Sequence, residues 1–217
     1  MKTKVKICGI RDLKSAQVAI DAGADFLGFN FIPISKRYID PKKAKEIMNQ
    51  LRINNYQLRN KIVGVFQNQP TDEVNAIAES VGLDIVQLHG EEDEEYMNKI
   101  NTNIIKKIVI SLCRGGFYTH PNKDNSKGYP YGDKLEYLIL DRENQGEGQM
   151  VDLQIAKEIA KTFPIFFAGG LTPENVTYVV SKVQPFAVDV AGGIETNGII
   201  DIGKITAFIK NAKGVVL

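Results

Sequence analysis

The chain of 217 residues is long enough for one sizeable hydrophobic core, and we predict a single domain spanning residues 1–217. Its 27 Lys and Arg residues balance 26 Asp and Glu residues to a net charge of +1, which excludes the strong overall field expected of a protein that binds nucleic acid or an anionic membrane. It contains no apolar run of signal-peptide or membrane-spanning length and only two cysteines, Cys8 and Cys113, so we expect a cytoplasmic protein without a disulfide framework.

Short β-branched runs bounded by turn residues alternate with segments of helical periodicity from the start of the chain to its end. This alternation is typical of βα units that build a parallel sheet. The predicted strands are Lys4–Cys8, Phe26–Phe31, Ile62–Phe66, Ile85–Leu88, Ile105–Ser111, Tyr137–Asp141, Ile165–Ala168 and Ala187–Val190.

The predicted helices lie between these strands and begin or end at recognisable signals, such as Pro41 at the start of one helix and Gly82 after the end of another. They are Leu13–Ala22, Pro41–Leu51, Thr71–Val81, Asp152–Lys161, Pro173–Val183 and Ile202–Asn211. The acidic run at residues 91–95 is predicted to be the first turn of a further helix, where carboxylates interact favourably with the helix dipole. Eight parallel strands in about 200 residues fit a single (β/α)₈ TIM barrel of the α/β class better than an open sheet.

One βα unit departs from the pattern. Residues 113–132 are rich in Gly, Tyr, Asn and Pro and have no apolar period. We therefore predict that a long loop replaces the helix after the fifth strand, and we interpret Cys113, at the start of this segment, as structural or incidental.

The C-terminal ends of the predicted strands carry side chains that are unusually polar or unusually small. In a TIM barrel these ends form the active site, because the loops that follow the strands meet at one face. The candidate site residues there are Cys8, Arg37, His89, Asp141, Gly169, Gly170, Gly192 and Gly193.

The glycine pairs after the seventh and eighth strands predict a phosphate site. Where side chains are missing, backbone N–H groups can approach an anion closely, and this corner of a TIM barrel commonly holds phosphate. Tight βα turns would also explain either pair taken alone. We therefore expect a small phosphorylated molecule as the partner of this protein.

Cys8 and Asp141 lie on nearly opposite strands of the predicted ring, so they could face each other across a bound substrate. A thiolate that accepts a proton and a carboxylic acid that donates one would perform general acid–base catalysis without a metal or a redox cofactor. The alternatives are that Cys8 is a small buried hydrophobe and that Asp141 is a solvated loop carboxylate.

Arg37 is the candidate partner for a carboxylate on the substrate, because its planar guanidinium can bind both carboxylate oxygens at once. An ordinary surface arginine is the alternative. His89 could contact the ligand or stabilise its own loop. With His89 and His120 as the only histidines, the sequence offers no metal-binding cluster, and we predict no metal.

Seven ordered segments, all at predicted strand ends, together resemble the phosphoribosylanthranilate isomerase family of tryptophan biosynthesis. They are residues 6–10, 28–38, 63–68, 86–91, 140–141, 168–176 and 188–195, which span nearly the whole chain. The resemblance implies a TIM-barrel isomerase, an intramolecular oxidoreductase of the aldose–ketose type, that uses no cofactor. Its reaction would be the Amadori rearrangement of N-(5-phosphoribosyl)anthranilate to 1-(2-carboxyphenylamino)-1-deoxyribulose 5-phosphate.

The resemblance also assigns roles to individual residues. It makes Cys8 the general base that removes the C2 proton and Asp141 the general acid that protonates the ring oxygen. Arg37 would bind the anthranilate carboxylate. The further substrate contacts that it implies are His89, Asp189 and the backbone of Gly169, Gly170, Gly192 and Gly193. Monomer and homodimer both stay open.

Three positions depart from the usual pattern of the family. Asn30 stands where an apolar residue is usual, Glu147 stands in the loop after Asp141 where a hydroxyl is frequent, and Ala191 stands where serine is common. These differences concern the strength of substrate binding and the closure of the loop rather than the reaction.

Two other functions compete with this one. Another phosphosugar barrel enzyme, such as an epimerase or the indole-forming synthase of the same pathway, would normally use a catalytic lysine or metal ligands at the strand ends, and we identify neither. A non-catalytic barrel that binds a phosphorylated ligand is favoured only by the altered residues 146–148, and the presence of both Cys8 and Asp141 speaks against it.

Overall fold

Eight parallel strands form a closed barrel in the computed structural model, which describes residues 2–53, 61–109, 134–141 and 152–214. The strands are β1 (Lys4–Cys8), β2 (Phe26–Asn30), β3 (Lys61–Phe66), β4 (Ile85–Leu88), β5 (Asn103–Val109), β6 (Leu135–Asp141), β7 (Ile165–Phe167) and β8 (Ala187–Val190). Each strand pairs with its neighbours in chain order, and β1 closes the ring by pairing with β8, where Val5 lies opposite Val188. The predicted TIM-barrel class is confirmed.

Helices cover the outside of the barrel, and side-chain caps mark where several of them begin. They are α1 (Leu13–Asp21), α2 (Pro41–Ile53), α3 (Thr71–Val81), α4 (Glu94–Asn98), α5 (Leu153–Ala160), α6 (Val176–Val183) and α7 (Ile202–Lys213). The Asp12 carboxylate accepts a hydrogen bond from the Ser15 backbone N–H at 2.8 Å, which satisfies a free donor of the first turn of α1. Gly82, with φ 76, ends α3 in the left-handed conformation that glycine adopts readily. A small hairpin, β9 (Glu195–Thr196) and β10 (Ile199–Ile200), follows β8.

Helix α6 begins three residues later than predicted. The predicted start at Pro173 is replaced by a turn that the Asn175 side chain holds. Its Oδ1 atom accepts a hydrogen bond from the Thr172 backbone N–H at 2.8 Å, and its Nδ2 atom donates to the Gly170 carbonyl at 2.9 Å. These bonds tie the start of α6 to the glycine pair after β7.

The acidic residues 91–95 have two different structural roles. Asp93 accepts a hydrogen bond from the Tyr96 backbone N–H at 2.8 Å and caps α4, so Glu94 and Glu95 form the acidic first turn as predicted. The prediction is wrong for Glu92. Its side chain is fully buried, with Oε2 lying 2.5 Å from the Nζ atom of Lys106 on β5, and each buried charge is stabilised by the other.

Side chains of the barrel strands alternate between two apolar layers. The inner layer consists of Phe26, Val63, Ile85, Ile105, Tyr137, Ile139, Phe166, Ala168 and Ala187. The outer layer, between the strands and the helices, includes Val5 and Ile7 of β1. Because side chains two residues apart share a face, Lys6 and Cys8 of β1 point into the barrel.

Several sequence predictions fall on residues outside the described ranges. The loop predicted at residues 113–132, with Cys113, and the altered residues 146–148, with Glu147, are among them, and they stay predictions. The single domain stays a prediction as well. Cys8 is a free thiol. Within the described ranges, no helix combines the length and the apolar character needed to cross a membrane.

Candidate active site

Cys8 ends strand β1 at the C-terminal mouth of the barrel, where its side chain is 8% exposed. Gly28 on the neighbouring strand leaves room for the thiol, because a Cβ atom there would lie 2.9 Å from the Cys8 Sγ atom. Gly9, with φ 83, then turns the chain away from the barrel. The thiol is part of neither apolar layer, which argues against a purely structural hydrophobe.

An ion pair lies inside the barrel next to Cys8. The Lys6 Nζ and Asp189 Oδ1 atoms are 3.0 Å apart, the lysine side chain is fully buried, and the aspartate side chain is 9% exposed. The Lys6 ammonium also interacts electrostatically with Cys8. Two charges buried this deeply require each other, since a single unpaired charge would be very unfavourable here. Asp189 therefore has a partner within the protein, and its predicted contact with substrate stays a prediction.

The charges of this cluster set the proton affinity of the thiol. Burial raises the pKa of Cys8 above its ordinary value, and the Lys6 ammonium opposes this effect by favouring the thiolate. Burial alone would lower the pKa of Lys6, but Asp189 and Cys8 raise it, so that Lys6 stays protonated. Burial also raises the pKa of Asp189, the Lys6 ammonium opposes that rise, and the charge of Asp141 adds to it.

Asp141 ends strand β6 at the same mouth of the barrel. It shares the inner face of β6 with Ile139, and the backbone register places it opposite Val109 of β5. Its side chain is partly exposed. Its influence on Asp189 shows that Asp141 and the Cys8–Lys6–Asp189 cluster belong to one electrostatic network.

Arg37 lies in the loop between β2 and α2 and makes a two-pronged ion pair with Glu195. Its Nε atom donates to Oε1 at 2.8 Å and its Nη2 atom donates to Oε2 at 2.6 Å. These hydrogen bonds raise the pKa of Arg37, whose charge in turn favours the Cys8 thiolate. Glu195 thus occupies one edge of the guanidinium, and a substrate carboxylate would approach the opposite edge. A Cβ atom at Gly192 would lie 3.0 Å from Nη2, so Arg37 adjoins the loop after β8.

The loops after β7 and β8 pack against each other at the predicted phosphate corner. Gly169 and Gly170 have φ values of 84 and 76, which glycine adopts without strain. Gly193 lies so close to the backbone of the other loop that a Cβ atom there would be 1.8 Å from the Leu171 carbonyl oxygen. The glycine at position 193 is therefore required by the close approach of the two loops.

His89 follows β4 and lies beside Gln87 at the barrel mouth. The Gln87 amide nitrogen forms a short hydrogen bond with the His89 Nε2 atom, which needs an unprotonated ring nitrogen to accept it. Burial lowers the pKa of His89 to about 3, and the charges of Lys107, Lys6 and Lys106 act in the same direction. His89 can therefore bind a ligand by hydrogen bonds but not as a cation.

We expect the ring of His89 to stay neutral between about pH 5 and 8, the range in which an ordinary histidine titrates. An NMR titration of the two histidine ring signals measures this directly, with His89→Asn used to assign them. A His89 signal that titrates near 6.5, the ordinary pKa of histidine, would contradict the prediction.

Comparison with known proteins identifies one enzyme family over almost the whole chain. The family model of N-(5'-phosphoribosyl)anthranilate (PRA) isomerase matches residues 5–211. The chain belongs to the PRA isomerase family.

Individual PRA isomerases agree with this match. The enzyme of Dehalococcoides mccartyi is 39% identical over 214 residues, which cover 97% of this chain and 95% of that protein. The crystal structure of the Thermotoga maritima enzyme is 35% identical with a TM-score of 0.79 and covers 98% of this chain and 100% of that one. A PRA isomerase in complex with reduced 1-(o-carboxyphenylamino)-1-deoxyribulose 5-phosphate is 34% identical with a TM-score of 0.78, at the same coverage.

Three lysines of the barrel strands extend the site beyond the residues that the sequence predicts for a PRA isomerase. Lys6 and Lys107 lie on the inner face, whereas Lys106 lies on the outer face and donates to the Gly90 carbonyl at 2.7 Å as well as binding Glu92. The two-residue period of the strands is the signal that could have found the inner pair. These lysines lie within β1 and β5, and the inference that the strand ends carry no catalytic lysine stays a prediction. Membership of the PRA isomerase family, and not a missing lysine, decides against the rival enzymes.

Proposed function

We propose that the chain isomerises N-(5'-phosphoribosyl)anthranilate in tryptophan biosynthesis, with Cys8 as the general base and Asp141 as the general acid. The observation that carries these roles is the network at the barrel mouth, in which the Lys6 ammonium lies 3.0 Å from Asp189 and favours the Cys8 thiolate, and the charge of Asp141 acts on Asp189. Membership of the PRA isomerase family supports the substrate and the reaction.

The proposed reaction opens a ring and then transfers a proton. Asp141 gives its proton to the furanose ring oxygen, the bond from C1 to this oxygen breaks, and the anilino nitrogen forms an iminium with C1. The Cys8 thiolate then removes the C2 proton, the electron pair of the C2–H bond forms a C1=C2 double bond, and the π pair of the C1=N bond moves to the nitrogen. Tautomerisation of this enol-amine yields the C2 ketone. Substrate and product have the same atoms and electrons, so the reaction consumes no cofactor.

Lys6 makes the thiolate possible in this proposal. Burial raises the pKa of the Cys8 thiol above its ordinary value, and the Lys6 ammonium opposes this rise by favouring the thiolate, which is the form that acts as a base. The buried ammonium stabilises the thiolate, and Asp189 holds the ammonium in place through the 3.0 Å contact. Lys6 is thus a positioning residue that acts through Cys8.

The two ends of the substrate bind to different sides of the mouth in this proposal. The phosphate would accept hydrogen bonds from backbone N–H groups of the loops after β7 and β8, which contain Gly169, Gly170, Gly192 and Gly193. These two loops are in contact at Gly193. The free edge of Arg37 would bind the carboxylate. Neutral His89 would contribute a hydrogen bond to the ligand.

We expect Gly193→Ala to raise the KM for the phosphorylated substrate about 10-fold or more while the fold persists. The reason is that the added Cβ atom would lie 1.8 Å from the Leu171 carbonyl oxygen, so the two phosphate loops must separate. Gly203→Ala in α7 is the matched control, because the nearest atom to its Cβ is a side-chain oxygen of Asp201 at 3.3 Å. Steady-state kinetics measure the KM of both variants, and circular dichroism checks that both are folded. An unchanged KM in folded Gly193→Ala would show that the phosphate does not bind at these loops.

The cytoplasmic location is part of the proposal and rests on the sequence composition and on the free thiol of Cys8. The related Thermotoga maritima enzyme is described as dimeric. Size-exclusion chromatography with light scattering distinguishes a monomer of 24.1 kDa from a homodimer of this chain.

A fluorescence assay with freshly prepared phosphoribosylanthranilate tests the proposed function. We expect the fluorescence of the substrate to fall on addition of the protein, with formation of a product that has the same mass. The Cys8→Ser protein, prepared in the same way, controls for a contaminating isomerase. A substrate signal that decays no faster with the wild-type protein than in buffer would refute the function.

A further inference from the structure

A buried ion pair lies beside the barrel mouth and takes no part in the proposed reaction. It joins Glu92, in the loop after β4, to Lys106 of β5, and the two side chains are 0% and 9% exposed. Each charge holds the other, because either one alone would be very unfavourable at this depth. The carboxylate and the ammonium can also form hydrogen bonds to other neighbours, and those neighbours indicate what the buried pair does.

The buried pair binds backbone groups of two loops at the mouth. The Glu92 Oε1 atom accepts hydrogen bonds from the backbone N–H of Asn68, in the loop after β3, at 2.8 Å and from that of Gly90 at 3.2 Å. The Lys106 Nζ atom donates to the Gly90 carbonyl at 2.7 Å. Asn68 in turn accepts a hydrogen bond from the Glu91 backbone N–H at 2.8 Å through its Oδ1 atom. The loops after β3 and β4 are thus bound to the same pair and to each other.

The residues at these positions fit one close arrangement of the two loops. Asn68 has a φ of 58, in the left-handed region that asparagine enters more readily than most other residues. A Cβ atom at Gly90 would lie 2.1 Å from the Asn68 Oδ1 atom, so a side chain at position 90 would displace the Asn68 carboxamide from Glu91. Gln69, which is 8% exposed, extends the contacts to β2 by donating to the Phe31 carbonyl at 2.8 Å.

His89 lies between the points that this arrangement fixes. Its own backbone N–H donates to the Phe66 carbonyl at 2.9 Å, and the next N–H, that of Gly90, is held by the buried pair. Both peptide groups that flank the His89 Cα atom are therefore fixed, and so is the direction in which its side chain leaves the backbone. Burial is the main cause of the low pKa of His89, and the charge of Lys106 contributes to it, which shows that the buried pair acts on the ring.

We propose that Glu92 and Lys106 are positioning residues for substrate binding, which act through His89 by fixing the loop that carries it. This inference rests on the proposed function, in which neutral His89 forms a hydrogen bond with the ligand. A ring that is fixed before the substrate arrives loses little conformational freedom on binding, so its hydrogen bond contributes more to the affinity. Without the buried pair, part of the binding free energy would be used to order the loops.

A double-mutant cycle between the buried pair and His89 tests the proposal. The probe is reduced 1-(o-carboxyphenylamino)-1-deoxyribulose 5-phosphate, and isothermal titration calorimetry measures its Kd. Glu92→Leu/Lys106→Met removes both charges together, so that neither stays buried alone. We expect this double variant and His89→Ala each to raise the Kd about 10-fold, the effect of losing one hydrogen bond. Their combination should bind within about 2-fold of His89→Ala, because the pair then has no ring to position.

A second double variant isolates the backbone contacts. Glu92→Gln/Lys106→Met also lacks both charges but keeps an acceptor for the two loop N–H groups, and it should bind within about 3-fold of wild type. The NMR signals of the His89 ring should shift in the first double variant and stay in place in the second. The kcat should change less than about 3-fold in both, since positioning through His89 affects binding rather than proton transfer.

Two single variants complete the set. Gly90→Ala displaces the Asn68 carboxamide but keeps the buried pair, and it should raise the Kd about 3-fold or more, which gives a second test should the first double variant not fold. Glu136→Gln is the control, because it removes the ion-pair partner of Lys61 at the opposite end of the barrel and should leave the Kd unchanged.

Wild-type affinity of folded Glu92→Leu/Lys106→Met, or of folded Gly90→Ala, would overturn the proposal. Additive losses in the combination with His89→Ala would do the same, because the pair would then act on binding through another group. Wild-type affinity of His89→Ala, together with normal turnover of the wild-type protein, would overturn this inference and leave the proposed function standing. If the wild-type protein neither bound the analogue nor passed the fluorescence assay, the proposed function itself would fall, and the inference with it.

Discussion

Cys8→Ser and Asp141→Asn are each expected to lower kcat about 10²- to 10⁴-fold while leaving the affinity for the reduced product analogue within a few fold of wild type. Each substitution removes a proton-transfer group but preserves the shape of the side chain. Serine cannot form an anion at neutral pH, so it cannot replace the thiolate that the Lys6 ammonium stabilises. Asparagine has no acidic proton to give to the ring oxygen.

Single-turnover kinetics and calorimetry on the same preparations separate chemistry from binding in these variants. Cys113→Ser is the matched thiol control and should retain wild-type kcat. The acid–base assignment fails if either Cys8→Ser or Asp141→Asn turns over at the wild-type rate. It also fails if the loss of activity is explained entirely by weaker binding of the analogue.

Lys6→Met is expected to lower the free energy of unfolding by about 3–5 kcal/mol and to abolish measurable turnover. The substitution leaves Asp189 buried, 9% exposed, without its counter-charge, and it removes the cation that favours the Cys8 thiolate. Without the Lys6 ammonium, burial raises the pKa of Asp189 unopposed, so this carboxyl group takes up a proton. Urea denaturation and the kinetic assay measure the two losses separately.

The double variant Lys6→Met/Asp189→Leu distinguishes stability from catalysis. An apolar pair of similar volume should recover most of the lost stability, because neither charge then remains buried, but it should not recover activity. Lys161→Met is the matched control, since its pair with Glu158 is exposed and contributes less than about 1 kcal/mol. A fully active Lys6→Met protein would exclude Lys6 from the catalytic cluster.

The sequence predicts most strands of this barrel well because they are short apolar runs next to turn residues such as Gly9, Asp25 and Asp84. The strand after Asp84, for example, begins at Ile85 as predicted. Helix ends are less accurate where side chains intervene, as Asn175 does before α6. Such contacts depend on residues that only the folded chain brings together.

The chemistry of the site is only partly visible in the sequence for a similar reason. Cys8 stands out as a thiol at a strand end, but the ammonium that tunes it belongs to Lys6, which looks like an ordinary polar residue of the same strand. Its partner Asp189 is 183 positions away in the chain. The spacing of charged residues along the sequence gives no sign of such pairs. The same holds for Arg37, whose partner Glu195 is known only from the fold.

The strands that carry Lys6 and Asp189 are the first and the last of the barrel, and they meet where the ring closes. The cluster that we propose as catalytic therefore cannot form in a chain that has emerged only as far as β7, because Lys6 then lacks its counter-ion and Cys8 lacks the neighbouring ion pair. In the proposed mechanism, closure of the ring is therefore also the step that makes proton transfer possible. Any condition that separates β1 from β8, even if the remaining strands stay paired, should abolish catalysis before most of the secondary structure is lost.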